Sequence, residues 1–181
     1  GDGFVTRIDS TPRVELWNFE NSDMVFATNN TERMRIRAGG GLAIGGTGDA
    51  NTLDDYEEGT WTPNIIYGGT ITVGTKNSSY LKIGNLVYIS VHVTITSVSS
   101  PSGDLRIGSL PFTPDSSSSA GPAFSMSYYD WNSGTYFLNG ELNYGNNSIY
   151  IYNNNNGVRN SSADKIQGGS QFHLAGSYIS T

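Results

Sequence analysis

Leu86-Val-Tyr-Ile-Ser-Val-His-Val-Thr-Ile-Thr96 is the stretch that decides the fold class. Val87, Ile89, Val91, Val93 and Ile95 alternate strictly with Tyr88, Ser90, His92, Thr94 and Thr96. A period of two puts the aliphatic side chains on one face of an extended strand and the others on the opposite face. Such a strand buries one side and belongs in a sheet. Outward from it, strands are predicted at 105–107, 123–129, 136–142, 148–152 and 171–179, each bounded by turn-forming residues. Pro111, Pro114 and the serine run 116–119 mark a surface loop. Asn153-Asn-Asn-Asn-Gly157 reads as a hairpin turn or exposed tip, since Asn and Gly tolerate positive φ. No window holds a 3.6-residue period, so helix is incidental. The prediction for residues 63–181 is an antiparallel, jelly-roll-like β-sandwich head.

The first fifty residues read differently. Apolar pairs recur at Val14/Leu16, Val25/Phe26, Met34/Ile36 and Leu42/Ile44, with turn-rich segments between them. Two or three apolar residues per element are too few to close a core inside one chain. Copies wound about one axis can pool them, as neighbouring repeats do in solenoids. Residues 1–52 are therefore expected to form a short, intertwined, trimeric β shaft; a loose β-arm packed on the later domain is the simpler alternative. Residues 53–62 are expected to be a neck: Asp54, Asp55, Glu57 and Glu58 crowd together ahead of Gly59, Trp61 and Pro63. Arg33 and Arg35 alternate with Met34 and Ile36, so the arginines either reach carboxylates such as Glu32 of a neighbouring copy or form a solvated face.

Composition narrows the function classes. Charged residues are 14% of the chain and hydrophobic ones 36%, while 23 glycines, 11 tyrosines and runs of Asn and Ser fill the difference. Disordered chains lack aromatics, and 12% aromatic content excludes that reading. A net charge of −6 argues against nucleic acid, whose phosphates demand a cationic face. The absence of cysteine excludes disulfides and thiolate chemistry. Oligomerisation is then the expected source of stability outside the cell. No apolar run approaches the ~20 residues that span a bilayer, so no membrane insertion is expected. The opening Gly-Asp-Gly, without initiator Met or signal peptide, reads as a piece of something longer.

Catalytic candidates are few. His92 and His173 are the only histidines, and no G-x-S-x-G elbow accompanies them. The carboxylates at 54, 55, 57 and 58 fall in the neck rather than along a sugar-binding cleft, where a glycosidase needs its pair. The same group matches no calcium loop, and solvated charge explains it more simply. No catalytic residue, metal or cofactor is predicted. The aromatic set is richer. Tyr128, Tyr129, Trp131 and Tyr136 fall within nine positions, Tyr150 and Tyr152 share one strand face, and Asn132, Asn139, Asn143 and Asn154 lie alongside. Ring faces beside amides suit sugars, whose C–H faces stack while their hydroxyls seek donors and acceptors. The candidate receptor-binding residues are Tyr128, Tyr129, Trp131, Asn132, Tyr136, Tyr150, Tyr152 and Asn154. Packing within the sandwich or a trimer interface is the competing reading of these tyrosines; Trp131, among turn residues, is the best candidate for exposure.

Phe26-Ala-Thr-Asn-Asn-Thr-Glu-Arg-Met-Arg-Ile36 with Gly41-Leu-Ala-Ile-Gly45, then Tyr56-Glu-Glu-Gly-Thr-Trp-Thr-Pro63, Tyr80-Leu-Lys-Ile-Gly-Asn-Leu-Val87 and Gly108-Ser-Leu-Pro-Phe112, and finally Gly169-Ser-Gln-Phe-His-Leu-Ala-Gly-Ser-Tyr178, stand in an order that resembles bacteriophage tail-fibre proteins. Ser109 departs from the family's usual G-L-P-F, and residues 113–168 match no pattern of that kind. The resemblance implies an extracellular, homotrimeric virion appendage without a cofactor. It further implies host-surface contact and other tail or virion proteins held on its N-terminal side. The expected function is attachment to the host cell surface through a glycan, without catalysis. The rivals are a structural fibre or collar piece with no receptor, a polysaccharide depolymerase, and a bacterial adhesin with borrowed fibre modules.

Overall fold

A computed structural model describes residues 3–8, 13–117, 122–129, 137–143, 147–155, 158–161 and 165–181, with the backbone alone at 129, 137, 154–155 and 158–161. In chain order its strands are β1 (Phe4–Ile8), β2 (Val14–Asn18), β3 (Met24–Thr28), β4 (Thr31–Ile36), β5 (Leu42–Ile44), β6 (Thr52–Leu53), β7 (Tyr56–Gly59), β8 (Asn64–Ile83), β9 (Leu86–Gly108), β10 (Ala123–Tyr129), β11 (Phe137–Asn143), β12 (Ser148–Asn155), β13 (Val158–Ser161) and β14 (Gln171–Ile179). A 3₁₀ turn at Asp49–Asn51 is the one helical element that falls wholly among the described residues. All the resolved strand registers are antiparallel, so the all-β expectation holds. No described helix is long and apolar enough to cross a membrane. The chain divides into two compact units, Gly1–Tyr56 and Glu57–Thr181.

The second unit is organised by β9. Its alternation does what the sequence requires: Val87, Ile89, Val91, Val93 and Ile95 are all buried. The strand runs on to Gly108, so the segments predicted at 86–96 and 105–107 are one element. Along its first half β9 pairs with β14, from Leu86↔Ile179 to Thr94↔Gln171. Its last part pairs with β12 instead, at Leu105↔Ile151, Arg106↔Tyr150 and Ile107↔Ile149. Because β14 pairs with β10, β10 with β11 and β11 with β12, the strands close a circuit around one interior. Leu105, Ile107, Phe124, Leu138, Leu142, Ile149, Ile151, Phe172, Leu174 and Tyr178 fill it together with the β9 aliphatics. The Tyr178 hydroxyl donates to the Phe112 carbonyl at 2.9 Å, tying the Pro111 loop to β14.

Several features of this unit add to the sequence reading or differ from it. The 20-residue β8 is a strand throughout, joined to β9 by a two-residue turn with Gly84 at φ +57°. Where β9 passes from β14 to β12, the β8–β9 ribbon carries four register shifts, and Gly69 takes φ +99°. Residues 153–155 belong to β12 rather than to a turn, with Asn153 buried opposite Leu138. Trp61, expected as a neck anchor, packs against the core of this unit.

The first unit contains a two-stranded sheet, β1–β2, and a four-stranded one, β3–β4–β5–β6. Asn29 and Asn30 both have positive φ, at 49° and 54°, and close the β3–β4 hairpin as a mirror-image turn that suits strand twist. In each sheet the register gathers apolar side chains on one face. Phe4, Ile8, Val14 and Leu16 share a face of the small sheet. Met24, Phe26, Met34, Ile36, Leu42, Ile44 and Leu53 share a face of the larger one. On the small sheet all four are exposed; on the larger one Ile36, Ile44 and Leu53 are exposed while Met24, Phe26, Met34 and Leu42 are half-buried. Among the described residues, eleven of the sixteen exposed large hydrophobics lie in the first unit, whereas of seventeen buried hydrophobic residues only Ala43 does.

Ion pairs occupy the other faces. Buried Glu15 accepts from Arg7 at 2.6 Å, from Arg13 at 2.7 Å and from the Trp17 indole at 2.9 Å. Arg35 bridges Asp23 and Glu32, both at 2.5 Å. The carboxylates that meet Arg35 here, Asp23 and Glu32, belong to its own chain, and Arg33 donates to the Thr28 hydroxyl at 3.1 Å. Hydrogen bonds from Arg7 and Arg13 hold Glu15 below its ordinary value of 4.5. Arg35 does the same for Glu32, while the Ala38 amide and then Arg35 lower Asp23 from 3.8. A carboxylate lowered on folding stabilises the fold above its ordinary pKa and loses that contribution as pH falls through the folded value. At the other extreme, burial pushes the Tyr178 hydroxyl up to about 12, so its contribution is complete below the ordinary value of 10 and fades as pH climbs towards 12. The first unit is therefore expected to loosen in acid and the second in alkali. The Trp17 indole N–H resonance, followed by NMR, should lose its hydrogen-bonded shift in acid while Tyr178 and the core methyls stay native.

Candidate functional site

Tyr150 and Tyr152 project from β12 on the face opposite Ile149 and Ile151, which the core claims. Their rings stack at 5.8 Å between centroids, with planes 18° apart. Register brings Arg106 of β9 to one side of Tyr150 and Glu141 of β11 to the other. The Arg106 guanidinium stands 5.2 Å from the Tyr150 ring centre, in cation–π range, and its Nη1 donates to the tyrosine hydroxyl at 3.4 Å. Its Nε is buried without a hydrogen-bond partner among the described residues. Asn139 lies opposite Tyr152 and is exposed; Asn143 lies opposite Ser148 and is exposed as well.

The result is a platform rather than a cleft: two half-buried, nearly parallel rings, one cation, one carboxyl and two amides on a sheet face. Ring faces offer apolar contact to C–H groups, and the surrounding groups offer both donors and acceptors. A separate cavity of about 430 Å³ in the first unit is lined by Asp23, Arg35, Arg37, Thr47, Asp49 and Asp54. Its arginines are engaged within the chain, Arg35 as above and Arg37 with Asp49 at 2.7 Å and the Thr47 carbonyl at 2.7 Å.

Of the residues singled out in sequence, the structure brings Tyr150 and Tyr152 together. Tyr128 pairs with Phe172 and is exposed near the end of β10, on the sheet face of Phe124 and Met126 rather than that of the stacked pair. Tyr129 pairs with Gln171, and Asn154 with Phe137, through the backbone. Trp131, Asn132 and Tyr136 lie outside the described residues. Arg106 and Glu141 were missed. Alternation within 105–107 already turned Arg106 outward, but only cross-strand register shows that it meets Tyr150.

The architecture is all-β with antiparallel sheets, and similarity to known proteins points to a structural part of a phage tail appendage. A 61-residue stretch is 38% identical to the tail spike protein of Salmonella phage epsilon15, covering 34% of this chain and 6% of that protein. The crystal structure of the Dettilon tailspike protein matches with a TM-score of 0.62 and 28% identity, over 68% of this chain and 24% of that one. No protein-family profile matches the chain. The chain spans under a quarter of the length of these relatives. The two likenesses indicate a structural part of a virion tail appendage, which is extracellular.

Proposed function

We propose that this chain is a distal, non-catalytic part of a homotrimeric phage tail spike or fibre, and that it attaches the virion to a host surface glycan through the Arg106–Tyr150–Tyr152 platform. The order of tail-fibre-like motifs along the sequence supports the same assignment. The first unit serves as shaft, with other tail proteins on its N-terminal side, and the second as head. The observation that carries the glycan reading is the pair of stacked rings flanked by a guanidinium, a carboxyl and exposed amides. The observation that carries the trimer is the uncovered apolar face on each sheet of the first unit. Such faces on a stable monomer would leave water against surface worth about 25 cal/mol per Å² when buried. Three linked sites also raise avidity when they engage together.

Soluble protein is expected to compete with phage for adsorption and to bind glycans displayed on an array. Tyr150→Ala with Tyr152→Ala should abolish both while leaving the circular dichroism spectrum native. Full binding by that folded variant would remove the platform from the proposal. Release of reducing ends from host polysaccharide would establish depolymerase activity instead. Native mass spectrometry should give three copies, and Leu16→Asp with Ile44→Asp should shift the mass towards one. A folded wild-type monomer at micromolar concentration would overturn the shared shaft.

A further inference from the structure

His92 and His173 are far apart in sequence, yet they face each other across the β9–β14 register on the outer side of the sheet. Their rings lie 4.0 Å apart between centroids, with planes 1° from parallel. His92 is half-buried and His173 exposed. Gln171 stands on the same face, its Oε1 3.4 Å from His92 Nε2. That is long for a hydrogen bond. It also equals the edge, about 3.4 Å, of a tetrahedron of donors held roughly 2.1 Å from a zinc ion. The residues paired beside these three on the same face are Asn77 of β8, Thr94 of β9, and Ser127 and Tyr129 of β10, none of them basic.

We propose that His92, His173 and Gln171 form a surface site for a borderline divalent transition-metal ion of the zinc or copper type. Imidazole nitrogen is the donor such ions prefer, with an amide oxygen as the weaker third ligand. The parallel rings lie face to face on adjacent strands. A turn about χ2, a broad torsion in histidine, makes them converge on one ion. Adjacent antiparallel strands fix the spacing of the two imidazoles, so little reorganisation is needed. Water completes the coordination shell on the open side. The site lies on one chain and does not depend on the platform or on trimer formation.

The test is calorimetric titration of the full 181-residue chain with zinc chloride in chelator-treated buffer, paired with copper(II) electron paramagnetic resonance. One ion per chain is expected, with superhyperfine splitting from two imidazole nitrogens. His92→Asn and His173→Asn should each weaken binding by at least about tenfold, the loss that even outer-sphere partners command. Gln171→Glu should tighten it, because an anionic oxygen replaces a neutral one. Circular dichroism confirms that each variant is folded. Equal affinity in wild type and His92→Asn/His173→Asn, or a copper spectrum without imidazole nitrogen, would show that the rings merely stack.

Discussion

Phe172→Ala should lower the stability of the second unit by about 3–5 kcal/mol, the usual cost of removing a buried phenylalanine. Phe172 is fully buried and stands in β14 between Val93 of β9 and Tyr128 of β10. It therefore packs where three consecutive strands of the circuit meet. Removing its ring takes away apolar area and opens a cavity that a closed arrangement of strands cannot easily collapse. A melting temperature lowered by on the order of 10 °C is the expected reading at matched protein concentration. Phe172→Leu, which retains most of the volume, should cost well under half as much. A loss below about 1 kcal/mol for Phe172→Ala would mean that the interior is not packed around this ring.

The second large effect concerns Gly69. At φ +99° a side chain is strained in any environment, and here there is no room for one. A Cβ would lie 2.2 Å from the Ser100 carbonyl oxygen and 2.8 Å from that of Ser99. Both are backbone atoms of the partner strand, so no rotamer change relieves the clash. Gly69→Ala is expected to cost at least about 2 kcal/mol, and to disturb the ribbon where β9 changes partners. Gly84→Asn is the matched control: its φ is +57°, a region that Asn enters readily, and nothing lies within 4 Å of an added Cβ. Denaturant unfolding should separate the two variants clearly. Equal, small losses would show that the ribbon relaxes freely around position 69.

The contrast between β8 and β9 explains how much of the fold the sequence made legible. In Leu86–Thr96 each aliphatic residue falls on the same parity, and the strand could be read without knowing its neighbours. β8 is as long, but its register shifts near Gly68, Thr72 and Val73 reset the parity, and its glycines and polar residues resemble a chain of turns. β9 runs through Pro101 and Gly103 without ending. They fall where β9 has only β8 for a neighbour, so a missing amide donor and a bend are tolerated. The asparagine run marked a hairpin, whose strands meet at Asn155 and Val158, but misplaced its start: Asn153 faces the core opposite Leu138, where local preference gave way to tertiary pairing. At the candidate site, spacing of two placed Tyr150 and Tyr152 together. The partners Arg106 and Glu141 come from strands 44 and 9 residues away, and only folded register could supply them.

The partner change along β9 also bears on how the molecule is made. Leu86 waits for Ile179, and Leu105 waits for Ile151, so neither half of β9 gains its second neighbour while the ribosome is still working through the intervening chain. Until residues 171–179 emerge, β9 and β10 both present an unfilled row of amides and carbonyls, the condition that invites mispairing between nascent copies. Productive biogenesis then favours prompt completion of the chain, or chaperone cover for the open strands until β14 arrives.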